Sequence, residues 1–316
     1  MRRVRYRDRL AGIAAVVSEM NMRKIFLSLT IVALSLGPSI ISVVFAQDTP
    51  QQRDPALVER GRYLVEIAAN CGFCHATRGP DRRVLPGMNL AGGLVFSGPG
   101  FRWVAPNITP DAETGIGRWT DDQIVTAIRE GYRPDGSLLG PGMPVEMYRQ
   151  VSDRDLRAIL AYLRTTQPVK HIVTERSTYS FPLTSYEPVA SVAEPADNPE
   201  SRGAYLAGPL AHCIGCHTPF VPNERRRDWS RTGAGGVVFE GPWGVVLTAN
   251  ITSDKEHGIG NWTDEQIIRA ITEGVSANGR QLAPPMRGQA PVLARLSGRD
   301  LHDLIAYLRS LAPQKP

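Results

Sequence analysis

The chain reads as an all-α protein of two tandem domains joined by a proline-rich linker. Three observations predict this: apolar residues at helical spacing, paired Ser/Thr-x-x-Gln/Asp helix starts, and a second half that repeats the first. At an offset of 142 to 145 residues, Gly92–Pro99 answers Gly235–Pro242 and Asn107-Ile108-Thr109 answers Asn250-Ile251-Thr252. Gly115-Ile116-Gly117 and Trp119-Thr120-Asp121 answer Gly258-Ile259-Gly260 and Trp262-Thr263-Asp264, and Ser152–Arg164 answers Ser297–Arg309. Each half, about 110 residues, is enough for one small domain.

Taken in order, residues 1–46 read as a leader and signal peptide. Met22-Arg23-Lys24 opens an uncharged apolar run, Ile25 to Ala46, that ends in Val44-Phe45-Ala46 before Gln47. The run is also long enough to stay as a membrane anchor. The first domain is placed at 47–168. The spacing of Leu57, Arg60, Leu64 and Ile67 predicts a helix running into Cys71, and Thr120-x-x-Gln123 predicts a capped helix closed by Gly131. Ser152-x-x-Asp155 opens a last helix with the core stripe Leu156, Ile159, Leu160 and Leu163. A linker follows at 169–199, rich in Pro and without periodicity. The second domain, 200–316, repeats these signals at Thr263-x-x-Gln266, Gly274 and Ser297-x-x-Asp300, with the stripe Leu301, Leu304, Ile305 and Leu308.

All four cysteines lie in two pentapeptides, Cys71-Gly72-Phe73-Cys74-His75 and Cys213-Ile214-Gly215-Cys216-His217. Cys-x-x-Cys-His is the attachment pattern of a c-type haem. Two thiols form thioethers with the porphyrin vinyl groups, and the adjacent imidazole takes one face of the iron. Two intervening residues on a turn of helix set the sulfurs at the two vinyl positions. A zinc site would need a second ligand pair in each half, and a redox dithiol does not ask for His at the fifth place. The expectation is two covalently attached haem c groups, held by Cys71, Cys74, Cys213 and Cys216, with His75 and His217 on the irons.

The second axial group decides between electron transfer and catalysis. Met143 and Met286 stand at matched positions, on Pro-rich loops 68 and 69 residues beyond their histidines. A lone Met is more often a gap-filler than a ligand. Two at matched places, on loops stiffened by proline, point to iron ligation. Met88 and Met147 have no counterpart; His171, His212, His257 and His302 have none either and read as surface or loop residues. Trp119 and Trp262 could donate to a haem propionate or serve the core. Pro99 and Pro242 are candidates for placing a carbonyl at the proximal imidazole.

The net charge of +5 comes from residues 1–46; beyond them acidic and basic side chains are even in number. Nothing supports nucleic-acid binding.

On Cys-x-x-Cys-His, Gly92-Gly93, Asn107-Ile108-Thr109-Pro110-Asp111, Thr114-Gly115-Ile116-Gly117-x-Trp119-Thr120, Met143-Pro144 and Ser152-Asp153-x-Asp155-Leu156, the chain resembles a known family. These are the multihaem cytochrome c subunits of membrane-bound alcohol, gluconate and sugar dehydrogenases. The resemblance covers residues 55–168 and again 203–312, and it implies two class I-like cytochrome c domains with the Met of Met-Pro as axial ligand. It also implies one-electron carriage in the periplasm, from a flavin- or quinoprotein dehydrogenase subunit towards an oxidase, quinone or cytochrome of the respiratory chain. Family subunits usually carry three haems and this chain offers two; Arg287 stands where the first half has Pro144. The competing reading is a dihaem enzyme, peroxidase-like or thiosulfate-oxidising, with one displaceable axial ligand. A matched Met in each half argues for a carrier without catalysis of its own.

Overall fold

The computed structural model describes residues 54–315 other than Pro242. The expected signal segment and the Pro242 carbonyl therefore lie outside the described residues. No helix among the described residues is long and apolar enough to cross a membrane.

The first half opens with α1 (Pro55–Tyr63), where Pro55 takes the first turn and the Asp54 carboxylate accepts the Ala56 N–H at 2.9 Å. The predicted helix does not run straight into the cysteines. It widens into a π turn over Leu64–Ala68, with the Ala69 N–H reaching back to the Leu64 carbonyl at 2.8 Å. Asn70 then turns left-handed (φ 44°), and the short α2 (Gly72–His75) begins afresh. A widened turn of this kind re-aims the side chains that follow it.

Beyond α2 come β1 (Val95–Gly98) and β2 (Phe101–Val104), an antiparallel hairpin with Phe96 opposite Trp103. Next are α3 (Asp121–Arg129), α4 (Val145–Tyr148) and α5 (Asp153–Leu163). Thr120 and Gln123 close a reciprocal capping box on α3, and Ser152 caps α5 by accepting the Asp155 N–H. Residues 169–198 run along the first half without helix, and β3 (Thr178–Tyr179) pairs with β2.

The second half follows the same order: α6 (Pro199–Tyr205), a π turn over Leu206–Leu210, α7 (Cys213–His217), the hairpin β4 (Val238–Gly241) and β5 (Gly244–Leu247), α8 (Asp264–Thr272), α9 (Met286–Leu293) and α10 (Gly298–Ser310). His212 takes the left-handed place of Asn70, at φ 57°. The hairpins amend the all-α expectation. Their four-residue strands are built from Val, Phe, Trp and Leu, residues that favour a pleated surface, but they are too short to show a period of two.

Within each half the first and last helices cross at a glycine. A Cβ on Gly61 would lie 1.9 Å from the Ala158 carbonyl oxygen, and one on Gly203 the same distance from that of Asp303. Arg60 grips Asp155 with two bonds of 2.9 and 2.8 Å across the first crossing, and Arg202 grips Asp303 at 2.6 and 3.1 Å across the second. Of the expected stripes, Leu156, Ile159, Leu160, Leu163 and Leu304, Ile305, Leu308 are buried in one apolar cluster that extends through both halves, and Leu301 packs against it half-buried.

The halves clasp each other reciprocally. Tyr63 donates its hydroxyl to Asp300 and accepts the Ser297 N–H at 3.1 Å, at the start of α10. Tyr205 donates to Asp155 at 3.0 Å and accepts the Ser152 N–H at 3.0 Å, at the start of α5. Each tyrosine thus satisfies a first-turn amide of the other half's last helix. Burial first, then Asp300, pushes the Tyr63 hydroxyl up to about 12; burial, then Asp155, does the same for Tyr205. A raised pKa in the folded chain favours the neutral hydroxyl, so its contribution is complete below the unfolded value near 10 and is lost as pH rises through about 12. Tyr63→Phe and Tyr205→Phe should each lower stability by about 1 kcal/mol at neutral pH. The double variant should also show a shallower fall in denaturation midpoint between about pH 10 and 12. An unchanged alkaline profile would contradict the clasp.

Candidate haem-binding sites

α2 with its N-cap Cys71, and α7, each present two cysteines and an imidazole within little more than one helical turn, and no disulfide pairs the four cysteines. Burial, then the neighbouring Cys74, pushes the Cys71 thiol up to about 12; burial likewise takes Cys74 to about 11 and Cys213 to about 12, and it raises Cys216. Neutral thiols are poor dithiol catalysts. Among the described residues, no group of three or more His, Cys, Asp or Glu is placed to hold a metal ion by itself. The donor set therefore does not suit zinc. It suits a group that takes two thiols covalently and one imidazole at iron.

The imidazoles are prepared for that role. His75 donates its Nδ1–H to the Pro106 carbonyl at 2.8 Å, and His217 donates its own to the Ala249 carbonyl at 2.7 Å. This fixes the tautomer and leaves each Nε2 lone pair for a metal. Burial holds both imidazoles below the usual pKa, against the smaller opposing effect of the carbonyl, so both are neutral at pH 7.

These partners correct the expectation for Pro99. That residue lies in the β1–β2 turn, whereas the acceptors follow β2 and β5, where each hairpin has returned to the pentapeptide. Gly92 and Gly235 make the return possible. Their N–H groups bond the His75 and His217 carbonyls at 2.6 and 2.7 Å. Both have positive φ (78° and 76°), and a Cβ would lie 2.5 Å from the Pro106 or Ala249 carbonyl carbon. The matched pairs Gly92/Gly235 and Pro106/Ala249, each acceptor directly before a matched Asn, were the sequence signal. Asn107 and Asn250 lock the next turn, accepting the Thr109 or Thr252 N–H at 2.9 Å and hydroxyl at 2.7 Å.

Met143 sits half-buried against the core, on a loop held from both sides: Trp103 packs on Gly142 and Tyr179 on Gly140. Met286 is half-buried at the first position of α9, directly after Pro285. Met147 is a buried filler from α4, its Sδ 4.0 Å from where a Cβ on Gly215 would be. Trp119 and Trp262 pack on the core, and their carbonyls accept Arg164 and Arg309 at 2.5 Å.

His212 is not a surface residue. It meets Tyr148 of the other half edge-on at 4.5 Å, and burial brings its pKa down to about 4. Tyr148 also lies near Cys71 and Cys74, so this pair stands between the two pentapeptides. His171 is likewise tied in, through Nδ1 to the Ala91 carbonyl at 2.8 Å.

Two Cys-Cys-His helices, each with its imidazole pinned by a carbonyl, define a protein that binds haem through thioethers. Comparison with known proteins agrees. The family model described as cytochrome c oxidase, cbb3-type, subunit III matches residues 56–163. The chain is 32% identical over 282 residues to the fructose dehydrogenase cytochrome subunit of Gluconobacter japonicus, covering 84% of this chain and 54% of that one. It is 30% identical to the gluconate 2-dehydrogenase cytochrome c subunit of Pantoea cypripedii, over 89% of this chain and 65% of that one. It is also 30% identical to a dihaem c-type cytochrome of Cereibacter sphaeroides, over 77% of this chain and 82% of that one. The chain belongs to the c-type cytochromes, a family that carries covalently bound haem c. It spans about half to two thirds of the length of the two dehydrogenase cytochrome subunits.

Gly92→Ala or Gly235→Ala should push the Pro106 or Ala249 carbonyl off its imidazole. A weaker Nδ1–H bond makes the imidazole a poorer donor, so that haem's midpoint potential should rise and its incorporation fall. Wild-type potential and haem content in both variants would contradict the role given to these carbonyls.

Proposed function

We propose that the chain is a dihaem electron carrier of the periplasm, taking electrons one at a time from a flavin- or quinoprotein dehydrogenase subunit. It passes them towards an oxidase, quinone or cytochrome of the respiratory chain. Each half, 47–168 and 200–316, is one haem domain. Cys71 and Cys74 would tether the first haem and Cys213 and Cys216 the second; His75 with Met143, and His217 with Met286, would hold the irons. When bound, each haem supplies a one-electron couple. The chain's own part is to tether, orient and shield it.

The observation that carries this reading is the pair of carbonyl-held imidazoles, His75 on Pro106 and His217 on Ala249, each beside two cysteines that no disulfide pairs. Met143 on its Pro-rich loop, and Met286 where its Pro-rich loop meets α9, would supply the second ligand to each iron, as a carrier without a substrate position needs. Pro141 and Pro144, and Pro284 and Pro285, limit the freedom of those loops before folding and so lower the entropic cost of holding a weak thioether ligand. Names of relatives support a dehydrogenase partner. Export is supported by the charge-flanked apolar run before Gln47, either cleaved or kept as an anchor.

The test is substitution of each methionine in the holo-protein. Met143→Ala and Met286→Ala should each abolish the red-edge charge-transfer absorption of one ferric haem, lower that haem's potential and leave the other haem unchanged. Wild-type protein should be reduced by a dehydrogenase from the same membranes acting on its sugar or alcohol substrate. Unaltered spectra and potentials in both variants, or a high-spin ferric haem in the wild type, would favour the enzyme reading instead.

A further inference from the structure

The two hairpins differ where they meet solvent. On β4–β5, Val238 pairs with Leu247 and Glu240 with Val245, and the four side chains share one face. Val238, Val245 and Leu247 are 60%, 65% and 66% exposed. Among the described residues the outer edge of β5 has no partner strand. At the matching place in the first half, β3 occupies the edge of β2, with Tyr179 opposite Phe101 and Thr178 opposite Arg102. The Ser177 hydroxyl oxygen accepts the Val104 N–H at 2.9 Å, and Arg102, the counterpart of Val245, is ion-paired with Glu175. One edge is therefore covered and polar, the other open and apolar. An open edge beside an apolar face is a template for an added strand.

Two further features say what would fill it. The hairpin leads within two residues to Ala249, whose carbonyl holds His217, so a strand added there lies beside the second haem site. At its turn, Trp243 lies under the Arg82 guanidinium of the first half at 5.7 Å. Arg83 follows with its side chain 88% exposed and Asp81 at 3.8 Å. The apolar face thus continues into the contact between the halves, and the arginines at that end favour carboxylates.

We propose that β5 is the docking edge for the dehydrogenase, which adds an extended segment as a third strand. Its alternate apolar side chains cover Val245 and Leu247, and its acidic residues meet Arg82 and Arg83. The inference rests on the electron-carrier reading and specifies its partner surface.

Hydrogen exchange of the full holo-protein, alone and with the dehydrogenase that reduces it, tests the proposal. In dilute cytochrome alone the outward amides of β5 should exchange freely, and the dehydrogenase should slow them by about tenfold or more. In parallel, Val245→Asp with Leu247→Asp should raise the dehydrogenase concentration giving half-maximal reduction by about tenfold or more, with haem spectra and potentials unchanged. Protection already present in dilute cytochrome would mean the edge is covered by this chain itself. Protection that grows with cytochrome concentration alone would mean a second copy covers it. Either result overturns the proposal, as does a variant reduced like wild type. A wild-type protein that no dehydrogenase reduces would overturn the carrier reading as well, which separates the two failures.

Discussion

An imidazole offers a lone pair to iron from one nitrogen only while the other keeps its proton, and the ring must not swing. In this chain both conditions rest on one contact made twice, from Nδ1 of His75 to the Pro106 carbonyl and from Nδ1 of His217 to that of Ala249. Much of the fold can be read as the means of bringing those carbonyls into place. A hairpin leaves the pentapeptide and returns to it. A glycine allows two backbones to touch, and an asparagine locks the turn beyond. The π turn and the left-handed residue before each cysteine set the direction in which the thiols and imidazole emerge.

A second consequence concerns the distance between the two sites. Small haem domains bury little surface of their own, and here the halves share one core. Tyr63 and Tyr205 each cap the other half's last helix, and Tyr148 meets His212 between the pentapeptides. Met147, beside Tyr148, also reaches Gly215 inside the second pentapeptide, so the two attachment helices face a common junction. A carrier benefits from such rigidity, because a fixed separation between redox groups is kept through every cycle.

Most helices were legible because their signals are local. Thr120/Gln123 and Thr263/Gln266 form the capping boxes expected of them, and the Leu156 and Leu304 stripes are buried as their spacing requires. Local signals could not show the π turns, since one extra residue per turn leaves the apolar pattern nearly unchanged over five positions. Nor could they show the hairpins, whose strands are four residues long. Pro99 was the wrong carbonyl because chain proximity is not spatial proximity: the hairpin carries it away and returns Pro106. His212 lacked a counterpart in the repeat, so only the packing of one half on the other reveals its place. The pentapeptides were legible in full, because their spacing is itself the chemistry.

The central claim is that each Cys-Cys-His helix carries its own covalent haem. The intact mass of the purified, denatured chain tests this most directly, followed by mapping of the haem-bearing peptides. The expected mass is that of the polypeptide plus two haems, one on the peptide containing Cys71 and Cys74 and one on that containing Cys213 and Cys216. A chain bearing one haem or none, or haem released on denaturation, would contradict it.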